Sequence, residues 1–170
     1  MRVILFRHGP AESRDAARWP DDSQRPLTER GAERTREAAS GLTRLEPTIG
    51  AILTSPYVRA HATARVLRQR IDDARVTTLD ALRPGGSWRR ILAALAERRP
   101  DETVVLVGHE PDLGKLTGLL VFGAPAPLPM KKAGACAIEF VGTPAAGNGR
   151  LLWFLPPRGL RRYSRRKDRV

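Results

Sequence analysis

Four residues of this chain carry side chains suited to phosphoryl transfer: Arg7, His8, Arg59 and His109. An arginine guanidinium is a planar fork of N–H donors that can bind two phosphate oxygens at once. A neutral histidine can attack phosphorus and carry the phosphoryl group as a covalent intermediate. A second histidine, when protonated, adds positive charge where the transition state accumulates negative charge. If these four side chains meet, they form a phosphoryl-transfer pocket that needs no metal.

Each of the four residues lies at, or soon after, the end of a short apolar run. The runs are Val3 to Phe6 before Arg7-His8-Gly9, Ala51 to Thr54 before the helix of Arg59, and Thr103 to Val107 before His109. Runs of this length and composition are typical of buried strands. Because parallel strands end at one edge of a sheet, where ligands bind, we expect the four side chains to converge there.

Strand-like and helix-like runs alternate along the chain, which predicts an α/β fold. We expect a three-layer α/β/α sandwich around a mostly parallel sheet, with TVVLV at residues 103–107 as a central strand and residues 76–79 at an edge. Helices are predicted from the N-cap Thr28 to about Leu45, from residue 56 to about 70, over residues 88–98 and from Pro111 onward. The turn Gly147-Asn148-Gly149 predicts a C-terminal antiparallel hairpin of residues 135–141 and 151–155.

Composition bounds the class of protein. A chain of 170 residues fits one domain, which we place at residues 1–157, followed by a basic tail at 158–170. The net charge is +12, and half of it comes from that tail. A positive field favours anionic partners, although we expect most of the arginine side chains to lie on the solvated surface without a specific partner. We find no signal peptide and no apolar run long enough to span a bilayer, so we expect a cytoplasmic protein without a membrane partner.

Metal and redox chemistry are not expected from this sequence. The single cysteine, Cys136, excludes an intrachain disulfide and lies in an apolar stretch. Three histidines in total, without cysteine or histidine spacing typical of metal ligands, predict no metal site. We therefore expect no cofactor.

Four motifs together resemble the histidine phosphatase superfamily, also called the phosphoglycerate mutase-like family. They are FRHGPAE at residues 6–12, RPLTERGAERT at 25–35, TSPYVRAHATA at 54–64 and VGHEP at 107–111. Their order and spacing match over nearly the whole chain. The resemblance implies that His8 is the phosphorylated nucleophile, that Arg7 and Arg59 bind the phosphoryl group, and that His109 is the second imidazole of the pocket.

The short segment LDALRPGGSW at residues 79–88 is similar to the compact, SixA-type phosphohistidine phosphatases. Other superfamily members usually insert a helical segment there that carries an acidic proton donor. The late segment LLWFLPPRGLRR is also similar to the compact subgroup. This likeness implies a phosphorylated substrate, in particular a phosphohistidine-bearing signalling protein, because an open pocket admits a protein and an imidazole needs less acid assistance to leave.

Several assignments stay open at this stage. Glu12 and Glu110 are both candidate general acids, but Glu12 can instead pair with an arginine and Glu110 can orient the start of a helix. Ser55 either donates to the phosphate or caps the next helix. The alternative functions are a small-molecule phosphomonoesterase acting on a sugar phosphate or nucleotide, and a non-catalytic module that binds anions or nucleic acid. Nucleic acid is not the expected partner.

Overall fold

Strands and helices alternate in the computed structural model, which describes residues 1–71 and 74–164. The strands are β1 (Arg2–Arg7), β2 (Ala51–Thr54), β3 (Arg75–Thr78), β4 (Thr103–Gly108), β5 (Ala135–Phe140) and β6 (Gly149–Leu155). The helices are α1 (Glu29–Leu45), α2 (Val58–Arg68), α3 (Trp88–Ala96), α4 (Asp112–Phe122) and α5 (Pro157–Ser164). Two 3₁₀ turns, Asp22–Gln24 and Asp80–Leu82, lie in the connecting segments.

The strands form one sheet in the order β3-β2-β4-β1-β5-β6. Strands β1 to β4 run parallel, β5 runs antiparallel to β1, and β6 pairs antiparallel with β5. The α/β prediction, with a mostly parallel sheet and a C-terminal hairpin, is confirmed. In the pairing register Arg7 lies opposite Gly108, and Thr54 lies opposite Val107. The residues that follow these three strands therefore start at the same edge of the sheet.

Apolar side chains of the sheet alternate between two buried layers, as the period-two geometry of a strand requires. On β1, Val3 and Leu5 contact the cluster that includes α3 and α4 residues. Ile4 and Phe6 contact the opposite cluster, built from α1, α2 and α5. The sheet is thus covered on both faces, which is the three-layer arrangement expected. Within the described ranges, none of the helices is long and apolar enough to cross a membrane.

Helix α1 begins where the sequence predicts it. The hydroxyl of Thr28 accepts a hydrogen bond from the backbone N–H of Gly31 at 2.9 Å, which satisfies one of the free donors of the first turn. A Cβ atom on Gly31 would lie 1.9 Å from the carbonyl oxygen of Pro10. The first turn of α1 therefore packs directly on the loop that follows β1, at a distance that only glycine permits.

Helix α5 lies within the segment predicted as a basic tail from residue 158. Residues 157–164 form a helix, and its Leu160 is fully buried in the cluster shared with α1. Arg161 also pairs with Glu37 of α1 at 3.3 Å. Residues 157–164 are rich in arginine and include one leucine, so their sequence does not predict a helix that packs on the core. Residues 165–170 of the predicted tail lie outside the described residues.

Candidate active site

One open pocket of about 340 Å³ lies at the carboxyl edge of the parallel strands. All six residues predicted for the site line it: Arg7, His8, Glu12, Arg59, His109 and Glu110. Arg25 and Lys132, which the sequence analysis did not select, line it as well. The convergence expected from three parallel strand ends is therefore present.

The imidazole of His8 is held in the orientation and protonation state that a nucleophile needs. Its Nδ1 lies 2.7 Å from the carbonyl oxygen of Gly9. A carbonyl can only accept a hydrogen bond, so Nδ1 carries the hydrogen and Nε2 keeps its lone pair. Burial, aided by the nearby His109, lowers the pKa of His8 to about 3. The ring is therefore neutral at physiological pH, with Nε2 free to attack.

The backbone around His8 is fixed from three sides. The N–H of His8 donates to the carbonyl of Gly108 on β4 at 3.1 Å. The N–H of Ala133, before β5, lies 3.1 and 3.2 Å from the carbonyls of Arg7 and His8. The N–H of Gly9 donates to the Thr63 hydroxyl of α2 at 3.0 Å. Together these bonds leave the nucleophile little freedom to move.

Gly9 also permits a close approach to α1. A Cβ atom on Gly9 would lie 2.1 Å from the hydroxyl oxygen of Thr35. Thr35 is fully buried and its hydroxyl donates to the carbonyl of Gly31 at 2.7 Å, so it has no room to withdraw. The turn after the nucleophile is thus packed against the helix without clearance for one methyl group.

His109 is oriented by a serine hydroxyl. Its Nε2 lies 2.8 Å from the Oγ of Ser55, and that oxygen accepts a hydrogen bond from the N–H of Tyr57 at 3.3 Å. The hydroxyl can donate to Nε2 or accept from it; we assign the donating direction, which places the hydrogen of the neutral ring on Nδ1. Burial, followed by the charge of Arg59, lowers the pKa of His109 to about 3. Ser55 therefore has a third role that neither sequence alternative named.

Arg59 is buried and Arg7 is half-buried, and each has a buried Nε without a hydrogen-bond partner. Arg7 donates from Nη1 to the carbonyl of Met130 at 2.7 Å. Arg59 is 2% exposed and donates to Asp22 twice, to its carbonyl at 2.7 Å and to its carboxylate at 2.9 Å. Burial lowers the pKa of both guanidinium groups. A lowered pKa means that the protein stabilises the positive charge less well than water does, and an anion in the pocket would stabilise it.

Unsatisfied polar atoms concentrate in this pocket. In the described part of the chain, the buried side-chain nitrogen and oxygen atoms without a hydrogen-bond partner are Arg7 Nε, Arg59 Nε, His109 Nδ1, Glu110 Oε1 and Trp19 Nε1. Each buried polar group left unpaired costs about 1–3 kcal/mol, so such groups call for an explanation. Three of them are N–H donors from the residues that line the pocket around His8. A ligand with several acceptor oxygens, such as a phosphoryl group, would satisfy all three.

Arg25 and Asp22 connect the pocket to the 3₁₀ turn at residues 22–24. Arg25 is 6% exposed and donates to the Asp22 carboxylate at 2.8 Å and to the carbonyl of Glu12 at 2.7 Å. Asp22 thus binds Arg25 and Arg59 at once. Arg25 is the first residue of the motif RPLTERGAERT, but the sequence analysis assigned it no role in the site. Asp22 and the exposed Lys132 carried no signal, because only the folded chain brings their loops to the pocket.

The two candidate acids differ in environment. The Glu12 carboxylate lies 3.4 Å from the exposed guanidinium of Arg18, in keeping with the pairing alternative. Burial raises the pKa of Glu110, although backbone N–H groups of Met130 and Gly114 and the charge of Arg7 oppose the shift. Glu110 is therefore a candidate acid whose burial favours the protonated form. Among the described residues, no cluster of three or more acidic, histidine or cysteine side chains could hold a metal ion.

Comparisons with known proteins agree with this geometry. The family model of the histidine phosphatase superfamily, branch 1, matches residues 3–118. An uncharacterized protein of Picosynechococcus sp. is 40% identical over 142 residues, covering 82% of this chain and 85% of that protein. The phosphohistidine phosphatase SixA of Escherichia coli is 30% identical over 164 residues, covering 95% and 97%. A solved structure of the protein histidine phosphatase SixA complexed with tungstate matches with a TM-score of 0.81 at 27% identity, covering 94% and 99%.

Proposed function

The chain belongs to the histidine phosphatase superfamily, branch 1, and we propose that it is a phosphatase that removes the phosphoryl group from protein-borne phosphohistidine through a phospho-His8 intermediate. One observation carries the proposal: the free Nε2 of His8 lies in a pocket where Arg7, Arg59 and His109 keep buried N–H donors without partners. The donors suit the non-bridging oxygens of a phosphoryl group, and the lone pair suits its phosphorus.

In the first step, His8 Nε2 attacks phosphorus while the bond from phosphorus to the leaving nitrogen breaks. The N–H groups of Arg7, Arg59 and His109 hold the three non-bridging oxygens, where negative charge accumulates. A phosphoryl dianion also opposes the effects that depress the pKa of His109, so binding favours the cationic ring. The leaving imidazole takes a proton from Glu110, the pocket carboxyl with the raised pKa.

In the second step, water attacks the phosphorus of phospho-His8. The Glu110 carboxylate accepts the proton of that water, and the bond from phosphorus to Nε2 breaks. Inorganic phosphate and the neutral His8 ring are released. The hydrogen bond from Nδ1 to the Gly9 carbonyl persists through both steps, because phosphorylation occurs at the other ring nitrogen.

Phosphohistidine is favoured over other phosphoryl donors by the shape of the entrance and by the relatives. Between β3 and α3 the chain forms only a 3₁₀ turn at Asp80–Leu82 and a short loop. A pocket bordered by so short a segment can admit a side chain carried on another protein. The similarity to Escherichia coli SixA over nearly both whole chains supports the same substrate class.

The test uses His8→Ala with His61→Ala as the matched control, since His61 is on α2 and is not among the residues that line the pocket. We expect wild type and His61→Ala to hydrolyse a phosphohistidine peptide, and His8→Ala to lose about 10⁴-fold or more. Rapid quenching should trap an acid-labile phosphoenzyme in the wild type and in His61→Ala, and none in His8→Ala. Retained hydrolysis in His8→Ala would overturn the mechanism.

A substrate panel separates the alternatives. If phosphohistidine peptides are hydrolysed with a higher kcat/KM than sugar phosphates and nucleotides, the proposed substrate class stands. The reverse order would make the protein a small-molecule phosphomonoesterase. No turnover of any of them, with salt-sensitive binding of nucleic acid, would favour the non-catalytic alternative.

A further inference from the structure

A second cavity, of about 120 Å³, adjoins the phosphoryl pocket. Its walls are mostly apolar, from Leu82, Trp88, Ile91, Leu113, Leu116 and Leu119, and the charged residues Arg83, Asp112 and Lys115 also border it. His109 lines both this cavity and the phosphoryl pocket. The segment of residues 81–86 also borders both, since Pro84 lines one and Arg83 the other. A group bound in the second cavity would therefore sit next to a phosphoryl group at His8.

The walls of this cavity are fixed in place. Leu82, Leu113 and Leu116 are each at most 4% exposed and belong to the apolar cluster on the α3 and α4 side of the sheet. The loop above them is held by a hydrogen bond from the N–H of Gly85 to the Asp112 carboxylate at 2.9 Å. The cavity is thus a preformed feature with rigid walls, of the kind that binds a ligand without rearrangement.

We infer that this cavity receives one apolar side chain of the substrate protein, from a residue close to the phosphohistidine. The inference rests on the proposed function. A closed apolar cavity of about 150 Å³ holds a benzene ring, so one of about 120 Å³ has room for a single aliphatic side chain such as leucine or methionine. A sugar or ribose would place hydroxyl groups against apolar walls, at the cost of their hydrogen bonds to water. The cavity therefore selects for protein substrates with an apolar neighbour.

The first test scans one leucine through the positions on either side of phosphohistidine in an otherwise alanine peptide. We expect one position to raise kcat/KM about tenfold over the all-alanine peptide, as burial of one aliphatic side chain allows. Dissolved isobutane, which has the size of a leucine side chain, should compete with hydrolysis of that leucine peptide and leave the all-alanine peptide unaffected. This competition needs no variant and so does not depend on the folding of one.

The second test fills the cavity with Leu116→Phe. We expect the leucine preference to fall to a ratio near one, while Leu45→Phe, on the opposite side of the sheet, keeps it. Circular dichroism and the thermal midpoint establish that both variants are folded. If every phosphohistidine peptide is hydrolysed equally well by the wild type, the cavity inference is overturned and the proposed function stands. If none is hydrolysed and sugar phosphates are, the proposed function itself fails.

Discussion

The imidazole rings of His8 and His109 lie 5.0 Å apart, centroid to centroid, inclined by 55°. Both rings are almost fully buried, and Arg7 and Arg59 line the same pocket. Desolvation and the charges of these two arginines both lower the histidine pKa, to about 3 for each ring. The pocket thus keeps two neutral imidazoles among fixed positive charges until an anion enters.

This pair makes the stability of the protein depend on pH. Unfolded histidine has a pKa near 6.5, so below that value the unfolded chain binds protons that the folded chain does not. Stability is full above pH 6.5 and falls as pH decreases toward 3, by about 1 kcal/mol per pH unit for each ring. Urea unfolding at pH 7, 6 and 5 measures this slope. His8→Gln should reduce the slope by about half, because His109 still contributes, and His61→Gln should leave it unchanged; equal slopes in both variants would contradict the assignment.

The serine beside His109 is expected to matter for rate. Ser55→Ala removes the hydroxyl that fixes the His109 tautomer, so the Nδ1 donor is lost from part of the population. We expect kcat to fall about 10–100-fold with a small change in KM, because the interaction strengthens as charge develops. Ser55→Thr keeps a hydroxyl and should recover most of the rate. Nitrogen chemical shifts of His109 would report the tautomer directly, and an unchanged tautomer in Ser55→Ala would refute this role.

Asp22 is expected to oppose substrate binding. Its carboxylate occupies donors of Arg25 and Arg59 and repels any phosphate that approaches them. Asp22→Asn should therefore strengthen inhibition by inorganic phosphate about threefold to tenfold. Asp21→Asn, next to the same turn, serves as the matched control because its carboxylate accepts hydrogen bonds from Ser23 and Gln24 of that turn. Weaker phosphate binding in Asp22→Asn would instead mean that Asp22 is needed to position the arginines.

The proton donor can be identified from the leaving group. Glu110→Gln should reduce kcat/KM about 10²-fold for an alkyl phosphate and much less for p-nitrophenyl phosphate, whose leaving group needs little protonation. Glu12→Gln should lose less than Glu110→Gln on the alkyl phosphate, since Glu12 pairs with Arg18. An equal loss on both substrates in Glu110→Gln would assign that carboxyl a structural role.

Helix α5 is expected to contribute to global stability. Leu160→Ala removes a fully buried side chain from the layer shared with α1 and should cost about 2–4 kcal/mol of unfolding free energy. The exposed Arg158→Ala should change it by less than about 0.5 kcal/mol. Urea unfolding compares the two variants with the wild type. A loss below 1 kcal/mol for Leu160→Ala would indicate that α5 packs only weakly.

Features set by local sequence patterns could be predicted, and contacts between residues far apart in the chain could not. The apolar run at residues 103–107 predicted a central strand, and three strand ends predicted where Arg7, His8 and His109 meet, because each signal is local. The bond between Ser55 and His109 and the pairing of Asp22 with Arg59 join residues 54 and 37 positions apart. Such pairings depend on which loops the finished fold brings together, and no local pattern encodes them.

The packing of Gly9 on Thr35 and of Gly31 on Pro10 has a consequence for altering this protein in the laboratory. Neither Gly9 nor Gly31 has room for a Cβ atom, so randomising these two positions would yield mostly inactive chains. The adjoining apolar cavity is bordered by the segment of residues 81–86 and by α4, and it includes exposed positions such as Arg83 and Lys115. Libraries aimed at a changed substrate range should diversify those positions and leave the two glycines as they are.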